Sequence, residues 1–460
     1  MTPPPSARTT GLDRLRVPRV AVWGTGVEGR EAAEAALERG AQVVFVDDRS
    51  TDASELPVGG VEIPVLAPSA LAEGSFDCIV RSPGVSVYRE ELRKARASGA
   101  EVTSVTAMWL EDFSGSRVVA VTGTKGKTTT AWLAAIVLEA CGLRVRLGGN
   151  MGTPLTALYR EEPGDVYVVE VSSFQAADVQ VSPPVGVLTL LAPDHLDWHG
   201  SYDRYVRDKL NLFDHRADVT LAVSSASPDA VASTARYERR ILYGSEGRVV
   251  VEDSAVTVDG EPVLDLTRTA LGLRGAHNLV NLCGAISACL LETGGIPKAD
   301  ALAEALGHMP VLPNRLETVA SARGVEYVND ALASNPAGTV AALRTFAGRR
   351  ICLILGGQDR GVDLAPLLEE LHRTRPVPSI VYLPDLGDRL CREISASGSS
   401  VECRPAPSVD EAARIASGIL GEEGVVLFSP AAPTPIVEGT YVQRGAAFNR
   451  AVAELVSSGS

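Results

Sequence analysis

The sequence predicts an α/β protein of three domains, on two observations. At 460 residues the chain is longer than one hydrophobic core usually supports. Short apolar runs alternate with helical patterns, which is typical of parallel sheets covered by helices on both faces. We expect a Rossmann-like first domain, a central P-loop ATPase-like domain with a parallel sheet and a small antiparallel addition, and a Rossmann-like α/β third domain.

The expected domain boundaries follow changes in composition. Residues 1–18 are rich in Pro, Thr and Arg without periodicity, so we expect a loose leader. Polarity rises at residues 114–116, and prolines begin and end the segment 310–313. The three domains are therefore expected at 19–115, 116–309 and 310–460.

Composition restricts the possible partners. The net charge of −14 offers nucleic acid and anionic membranes no attractive surface. No apolar run is long enough to span a membrane, and residues 1–16 lack the apolar core of a signal peptide. The seven cysteines form no CxxC pair, which fits buried thiols in a reducing compartment. We expect a cytoplasmic protein without nucleic-acid or membrane partners.

The first domain begins with a strand, a glycine turn, a helix and a second strand. The apolar run at 19–23 enters Gly24-Thr25-Gly26-Val27-Glu28-Gly29, a helical pattern follows at 30–39, and the run at 42–46 ends in Asp47-Asp48. This order is that of a Rossmann half, in which the glycines face a diphosphate. Alone, the match leaves an NAD-dependent oxidoreductase open as an alternative. A further strand is expected at 77–80.

A second glycine-rich turn follows the apolar run at 118–122 and precedes a helix expected from about Thr128. Glycines let backbone N–H groups approach phosphate oxygens, Lys127 supplies a positive charge, and Thr128 supplies an oxygen for Mg²⁺. The stricter form of this loop has glycine where the chain has Val121, and an incidental Gly/Lys turn is the alternative. We predict a phosphate loop formed by Gly123, Thr124, Lys125, Gly126, Lys127, Thr128 and Thr129.

Polar side chains follow the next strands of the central domain. Glu170 lies in the run at 166–171 and offers the carboxylate oxygens that Mg²⁺ prefers. Asp194, His195, Asp197 and His199 crowd the end of the run at 185–191. A solvated polar turn is the alternative to a metal site there, in which His195 would be the ligand. By residue type alone, Lys209 is a surface lysine.

The pattern changes after the central strands. Short strands and turns at 248–266 predict the antiparallel addition, and a helix is expected at 277–293. In the last third, strands near 351–355, 379–383 and 425–428 alternate with helical stretches. By default Asn278, Arg315 and Asp330 would be capping residues or surface charges.

In order and spacing, these residues resemble the Mur ligases, ATP-dependent enzymes that add amino acids to the UDP-linked peptidoglycan precursor. Each motif alone is weak, but together they are specific. The resemblance extends over essentially the whole chain and includes the phosphate loop, Gly149-Asn150-Met151-Gly152, Glu170-Val171-Ser172-Ser173-Phe174-Gln175, Asp194-His195-Leu196-Asp197, Arg207-Asp208-Lys209, His277-Asn278, Arg315 and Asp330.

The resemblance implies roles for these residues. The first domain would hold UDP rather than NAD, through Gly24, Gly26, Asp48, Arg49 and Ser82. ATP would contact the phosphate loop, Asn278, Arg315 and Asp330. Two Mg²⁺ ions would be held by Thr128, Glu170, His195 and a carbamylated Lys209, and the catalytic residues would be Lys127, His195 and Lys209. Further substrate contacts would come from Asn150, Ser172, Gln175, Ser334, Arg360 and Ser429.

The third domain, which the resemblance assigns to the incoming amino acid, departs from the common D-glutamate-adding pattern. Where that pattern has Asp-Ser-Lys-Ala-Thr-Asn, this chain has Asp330-Ala331-Leu332-Ala333-Ser334-Asn335, and Arg360 stands where a lysine is common. The segment Ser429-Pro430-Ala431-Ala432-Pro433 also has a proline that the common form lacks. These changes are similar to the L-glutamate-adding variant, which leaves inversion to a separate epimerase. Neutral drift in a D-glutamate enzyme is the alternative.

The implied reaction joins glutamate to UDP-N-acetylmuramoyl-L-alanine through an acyl phosphate, for peptidoglycan synthesis and hence cell shape and division. Closure of the third domain over the central one would exclude water from the intermediate. A folylpolyglutamate synthase-like ligase is disfavoured by the Rossmann turn ahead of the phosphate loop. A nucleotide-gated binding protein is disfavoured by the joint presence of Glu170, His195 and Lys209.

Overall fold

The structure is a computed structural model that describes residues 10–49, 54–73, 75–150, 153–269, 271–272, 274–309, 312–396 and 401–458. Three parts of the sequence predictions fall outside the described residues. They are residues 1–9 of the expected leader, Met151 and Gly152 of the Gly-Asn-Met-Gly segment, and Pro310 and Val311 at the last expected boundary.

Strands and helices alternate along most of the described chain, as the sequence predicts. The strands are β1 (Arg19–Trp23), β2 (Gln42–Val46), β3 (Ser54–Val58), β4 (Val61–Leu66), β5 (Cys78–Arg81), β6 (Glu101–Thr103), β7 (Val118–Thr122), β8 (Val145–Gly149), β9 (Val166–Glu170), β10 (Val185–Leu188), β11 (Thr220–Ser224), β12 (Arg240–Gly244), β13 (Val249–Glu252), β14 (Ala255–Val258), β15 (Glu261–Asp265), β16 (Glu317–Ala322), β17 (Val325–Asn329), β18 (Ile351–Gly357), β19 (Ser379–Asp385), β20 (Cys403–Pro405) and β21 (Gly424–Phe428).

The helices are α1 (Val27–Glu38), α2 (Ala70–Glu73), α3 (Glu90–Ala97), α4 (Val105–Asp112), α5 (Lys127–Ala140), α6 (Ser173–Ala176), α7 (Leu196–His199), α8 (Tyr202–Leu210), α9 (Pro228–Ser233), α10 (Ala276–Thr293), α11 (Ala299–Gly307), α12 (Pro336–Thr345), α13 (Ala365–Arg373), α14 (Leu386–Ala396), α15 (Val409–Leu420) and α16 (Tyr441–Ser458). Short 3₁₀ turns lie at Gly11–Leu15, Ala157–Tyr159, Asn211–Phe213 and Ile436–Glu438. None of the described helices is long and apolar enough to cross a membrane.

The first sheet has β1 near its centre. Its order is β3-β4-β2-β1-β5-β6, and its strands are parallel except for the β3–β4 hairpin. The chain winds to one side of β1 through α1 and β2, and later to the other side through β5. This reversal opens a crevice at the carboxyl end of β1, where open α/β sheets bind ligands. The glycine turn at 24–29 lies at that end.

An aromatic cluster joins the first sheet's last helix, α4, to the central sheet. Trp109 stacks on Phe113 with 4.3 Å between ring centroids, and Phe113 meets Tyr167 of β9 edge-on at 4.8 Å. Trp109 and Tyr167 belong to one buried core that extends from Leu15 to Ala230. Burial of such large rings stabilises the attachment of the first sheet to the second.

The central sheet has the order β15-β14-β13-β12-β11-β10-β7-β9-β8. It is parallel from β8 to β13 and antiparallel from β13 to β15, which confirms the small antiparallel addition. β7 lies between β9 and β10, where the winding reverses. The predicted phosphate loop leaves the carboxyl end of β7, at this reversal point.

The third sheet has the order β16-β17-β21-β18-β19-β20 and is antiparallel only between β16 and β17. Leu353 and Leu355 of β18 belong to one buried cluster, and the alternate residues Cys352 and Ile354 belong to another. Both faces of this sheet are therefore covered, which confirms the predicted α/β third domain.

The chain separates into two compact units: Met1–Leu271 with Asn278–His308, and Gly272–His277 with Met309–Ser460. The first two sheets lie in the first unit and the third sheet lies in the second. Arg274 ties the short segment 272–277 to the second unit, because it pairs with Glu326 of β17, which also binds Arg349 at 2.5 Å. The boundaries expected near residues 115 and 309 stay predictions.

Candidate active site

Two glycines shape the loop between β7 and α5. Gly123 has φ 149° and Gly126 has φ 89°, a region that side chains rarely adopt. A Cβ at Gly123 would lie 1.8 Å from Oγ1 of Thr189, and one at Gly126 would lie 2.5 Å from Oδ1 of Asn281. Both the backbone conformation and the close neighbours therefore require glycine. The backbone N–H groups at the start of α5 are left to face an anion.

Hydrogen bonds from the segment just after β10 and from α8 hold this loop in place. The Thr124 amide donates to the Leu190 carbonyl at 2.6 Å, and its hydroxyl is 2.6 Å from that of Tyr205. Thr189 donates to the Lys125 carbonyl at 2.6 Å. The Thr124 side chain is thus occupied in fixing the loop.

Two lysines make the loop positive. Nζ of Lys127 donates to the Thr124 carbonyl at 3.3 Å, so its side chain folds back over the loop. Nζ of Lys125 lies 3.7 Å from Asp194. Together with the helix N-terminus, these charges suit a polyphosphate.

Thr128, at the start of α5, lies beside Glu170, at the carboxyl end of β9. The Thr128 hydroxyl donates to Oε2 of Glu170 at 2.6 Å, and the Asn150 amide donates to Oε1 at 2.9 Å. Among the described residues, no group of three or more His, Cys, Asp or Glu side chains could hold a metal by itself. A hydroxyl and one carboxylate nevertheless fit Mg²⁺, which commonly takes its remaining ligands from phosphate and water.

Lys209 is not a surface lysine. Its side chain is 1% exposed, and Nζ donates to the Gly123 carbonyl at 2.9 Å. Burial, together with the charge of Lys127, lowers the pKa of Lys209 well below its usual value. An uncharged amine is the form that reacts with carbon dioxide, so this environment fits the carbamate that the resemblance implies.

His195 precedes α7 in a left-handed conformation, with φ 52°. Such backbone strain in a residue other than glycine is common at functional sites. Its ring packs on Phe174 at 4.7 Å between centroids, and its Nε2 is 3.8 Å from Asp194. The side chain is 40% exposed, and partial burial lowers the pKa of His195, which favours the neutral form that binds metal.

Ser172 and Gln175 form a capping box at the start of α6. The Gln175 backbone N–H donates to the Ser172 hydroxyl at 3.2 Å, and the Ser172 backbone N–H donates to the Gln175 side-chain oxygen at 3.0 Å. The side-chain NH₂ of Gln175 also donates to Glu28 of α1 at 3.1 Å. These two predicted substrate residues therefore connect the central sheet to the helix that follows the first glycine turn.

The first glycine turn lies directly against Ser82. A Cβ at Gly24 would lie 2.5 Å from the Ser82 hydroxyl oxygen, whereas Gly26 has open space around it. Asp48 pairs with Arg89 at 2.9 Å, and the Arg49 side chain is 90% exposed. The structure thus brings Gly24 and Ser82 together, whereas Arg49 is exposed, with its Nε 3.5 Å from Asp47.

In the second unit, Asp330 and Ser429 lie at the carboxyl ends of the neighbouring strands β17 and β21. Ser429 donates to Asp330 at 2.8 Å, and its hydroxyl is 3.0 Å from that of Thr339. Burial raises the pKa of Asp330 to about 7. Ser334 and Arg360 of the same unit are exposed. Of the two other predicted ATP contacts, Arg315 is in this unit, whereas Asn278 is in the first unit and accepts from Asn281 at 3.0 Å.

Sequence reasoning missed several residues that build the site. Thr189, Tyr205 and Asn281 shape the phosphate loop, and Asp47 rather than Asp48 accepts from Thr25 in the first glycine turn at 3.0 Å. The Asp47-Asp48 pair was visible as acid at the end of β2. The other three carry no local signal.

A glycine loop at the reversal point of a parallel sheet, beside hydroxyl and carboxylate oxygens, defines a nucleotide-using α/β enzyme. The Mur ligase middle domain matches residues 121–289, and the Mur ligase, glutamate ligase domain matches residues 314–432. The chain belongs to the Mur ligase family, and it is an ATP-dependent ligase that forms an amide bond in peptidoglycan precursor synthesis.

Individual relatives agree over most of the chain. A protein of Xanthomonas axonopodis pv. citri (strain 306), named UDP-N-acetylmuramoyl-L-alanine--L-glutamate ligase, is 36% identical over 453 residues and covers 95% of each chain. A protein of Micromonospora sp. (strain ATCC 39149 / NRRL 15099 / SCC 1413) with the same name is 38% identical, over 92% of this chain and 94% of its own. Among solved structures, the UDP-N-acetylmuramate-alanine ligase MurC of Thermotoga maritima shares the fold, with 19% identity, a TM-score of 0.60, and coverage of 96% and 99%.

Proposed function

We propose that the chain joins L-glutamate to UDP-N-acetylmuramoyl-L-alanine, with conversion of ATP to ADP and phosphate. The names of the two relatives that cover 95% and 92% of the chain support this substrate pair. The observation that carries the ligation chemistry is the 2.6 Å contact of Thr128 with Glu170 beside the glycine loop. It brings oxygens that suit a metal next to a positive phosphate cradle.

The reaction has two steps. The free carboxylate of the nucleotide substrate attacks the γ-phosphorus of ATP, which forms an acyl phosphate and releases ADP. The glutamate amine then attacks the carbonyl carbon, phosphate leaves, and the amine gives up a proton. The backbone of Gly123 to Thr129 and the charge of Lys127 orient the phosphates and stabilise the charge that develops on them.

Thr128 and Glu170 hold one Mg²⁺ in this proposal, and His195 and Lys209 contribute to a second. When bound, the metal neutralises charge on the phosphate oxygens. Lys209 acts as a carbamate, since its buried, uncharged amine can add carbon dioxide. Asn278, Arg315 and Asp330 contact ATP in this proposal.

The nucleotide substrate is assigned to the first domain, at 19–115. Gly24 and Gly26 approach the diphosphate, and Ser82, Asp48 and Arg49 contact the rest of the UDP group. Asn150, Ser172 and Gln175 of the central domain, 116–309, contact the remainder of this substrate. The arrangement rests on the open turn at Gly26 and the contact between Gly24 and Ser82.

The incoming amino acid is assigned to the third domain, 310–460. Arg360 and Ser334, which are exposed, bind its carboxylates. Ser429 is fully buried and bonded to Asp330, so it supports the pocket rather than the ligand itself in our proposal. Addition of L-glutamate calls for a separate epimerase as functional partner, and we assign the reaction to the cytoplasm.

The test uses purified protein with ATP, Mg²⁺ and UDP-N-acetylmuramoyl-L-alanine, with D- or L-glutamate offered separately. Phosphate release and product mass are measured. We expect a product with L-glutamate. A product with D-glutamate alone would overturn the stereochemical assignment, and no product with either isomer would overturn the substrate pair.

The role of Arg360 is tested by Arg360→Lys, with Arg392→Lys on α14 as the matched control. A lysine keeps the charge but loses the paired donors of arginine, so we expect the KM for L-glutamate to rise about 10-fold in Arg360→Lys. The control should leave this KM unchanged. Equal KM values in the two variants would remove Arg360 from the amino-acid site.

A further inference from the structure

Four side chains form a continuous chain of hydrogen bonds across the first unit. The Tyr88 hydroxyl donates to Oδ1 of Asp208 at 2.6 Å. The other carboxylate oxygen, Oδ2, accepts from Nδ1 of His199 at 2.6 Å, and Nε2 of His199 faces the Ser173 hydroxyl at 3.0 Å. Each carboxylate oxygen of Asp208 therefore accepts one hydrogen bond, Oδ1 from Tyr88 and Oδ2 from His199.

This chain of hydrogen bonds connects parts of the molecule that are far apart in sequence. Tyr88 ends the loop that follows β5, which we name the Pro-Gly loop (residues 82–88) and which begins with Ser82. Asp208 precedes Lys209 on α8, and Ser173 opens α6 beside Ser172. Tyr88 and Asp208 are 120 residues apart. One hydrogen-bonded chain thus joins the first domain to the helix that carries Lys209.

This chain is buried at its centre. His199 is 0% exposed and Ser173 is 3% exposed. The order Ser173, His199, Asp208 is that of a nucleophile triad. A substrate carbonyl has no access to a serine so deeply buried, however, so the arrangement suits positioning rather than attack. Tyr88 is 47% exposed; its partial burial, followed by the hydrogen bond to Asp208, raises the pKa of its hydroxyl, which therefore stays the donor in that bond.

A second buried contact fixes the other end of the Pro-Gly loop. Arg81, the last residue of β5 and the residue just before this loop, makes two 2.9 Å hydrogen bonds to Asp178. Arg81 also donates to the carbonyls of Phe174 and Val85, both at 2.9 Å. The loop is therefore held to the central sheet at both ends, and Tyr88 is the end that reaches the Lys209 helix.

We propose that Tyr88, Asp208 and His199 are positioning residues. They fix the position of the Pro-Gly loop relative to the helix that carries Lys209. The inference rests on the proposed function, in which Ser82 contacts the nucleotide substrate and Lys209 serves the phosphate site. Successive residues of a helix point about 100° apart, so Asp208 reaches the first domain while Lys209 faces the phosphate loop. A small shift at Tyr88 would separate the two substrates at the reacting atoms.

The kinetic test compares two Tyr→Phe variants that each remove one Tyr–Asp hydrogen bond from α8. Tyr88→Phe removes the bond to Asp208, and Tyr202→Phe removes the 2.5 Å bond to Asp229, which stays within the central domain. We expect Tyr88→Phe to raise the KM for UDP-N-acetylmuramoyl-L-alanine about 5- to 10-fold and to leave the KM for ATP unchanged. Tyr202→Phe should change neither KM. Equal KM values for the nucleotide substrate in the two variants would overturn the proposal.

A double-mutant comparison tests whether Tyr88 acts through Asp208. Asp208→Ala and Tyr88→Phe each remove the hydrogen bond between Tyr88 and Asp208, so we expect the KM increase in the double variant to be smaller than the product of the two single increases. Independent effects, in which the increases multiply, would show that Tyr88 does not act through Asp208.

A readout without catalysis keeps this proposal separate from the proposed reaction. Hydrogen–deuterium exchange of the backbone amides is measured in both Tyr→Phe variants. We expect faster exchange at residues 82–88 in Tyr88→Phe only. If the wild-type protein makes no product but this difference in exchange is found, the proposed reaction is wrong. The role of Tyr88 in positioning the Pro-Gly loop is then still supported. If neither variant changes exchange at residues 82–88, the coupling is wrong.

Discussion

Nζ of Lys209 donates a 2.9 Å hydrogen bond to the carbonyl oxygen of Gly123, the first residue of the phosphate loop. The loop conformation and the buried lysine therefore depend on each other. A side chain that residue type alone would place on the surface lies instead beneath the loop between β7 and α5.

Lys209→Met is expected to lower the turnover rate by about 10²–10³-fold or more. It removes the side chain that, in our proposal, helps to hold the second Mg²⁺ beside the phosphates. It should also stabilise the fold near neutral pH. The lowered pKa of Lys209 means that the unfolded chain holds a proton that the native chain does not. Wild-type stability should thus rise relative to the variant as pH increases toward 10.5, where the unfolded lysine also loses its proton.

The measurement is thermal unfolding of both proteins from pH 7 to pH 10, with initial rates measured in parallel. Lys298→Met, at an exposed lysine, is the control and should alter neither quantity. Added bicarbonate should not restore the activity of Lys209→Met. Turnover close to wild type would contradict the assigned role.

Glu170→Gln is expected to raise the Mg²⁺ concentration needed for half-maximal turnover by about 10-fold or more. The amide keeps the volume but loses the negative charge that a hard cation prefers. Titration of Mg²⁺ at saturating ATP checks this. Glu139→Gln, at an exposed site on the same helix as Thr128, should leave the titration unchanged; a similar titration in both variants would argue against metal at Glu170.

Gly126→Ala is expected to weaken ATP binding by about 10-fold or more, because the new Cβ would meet Asn281 at 2.5 Å in a strained conformation. Gly142→Ala, past the end of the same helix, is the matched control: its φ is 81°, but the Cβ would meet open space. Both variants should lose stability by about 1–3 kcal/mol. Calorimetric ATP titration should separate them, and equal ATP affinities would show that the loop tolerates a side chain.

Asp330→Asn should change how stability depends on pH. Since burial raises the pKa of Asp330 from 3.8 to about 7, the native state holds this proton more tightly than the unfolded state. Wild-type stability should therefore decline as pH rises from about 4 to about 7, by on the order of 4 kcal/mol from this group. The variant should lack that part of the decline.

Chemical denaturation at several pH values, without ligands, measures this difference. Asp363→Asn is the control, because that carboxylate is exposed and accepts a hydrogen bond from the nearby Ala365 backbone amide, and it should keep the wild-type pH dependence. A parallel decline in Asp330→Asn and wild type would disprove the buried-carboxylate interpretation.

Much of the fold followed from local sequence. The runs predicted at 19–23, 42–46 and 118–122 became β1, β2 and β7 with the same bounds, because buried parallel strands are continuous apolar runs. Two helices begin earlier than the helical pattern indicated, at Val27 and Lys127. In both, the glycine turn passes directly into the first helical residues, so no break in the sequence marks where the helix begins.

The site was predictable only where motifs mark it. Thr128 and Glu170 could be assigned to one metal site in advance because each lies in a motif that carries the resemblance. The contact between Thr124 and Tyr205 spans 81 residues, and that between Tyr88 and Asp208 spans 120. Such contacts depend on the packing of whole elements, and no local pattern encodes them.

Proline occurs in one edge strand of each sheet: Pro57 in β3, Pro262 in β15 and Pro405 in β20. Proline has no backbone N–H to give to a neighbouring strand. A second polypeptide that tried to extend the sheet along these edges would lack part of its ladder. The proline-containing edge of each of the three sheets therefore resists growth of that sheet into aggregates.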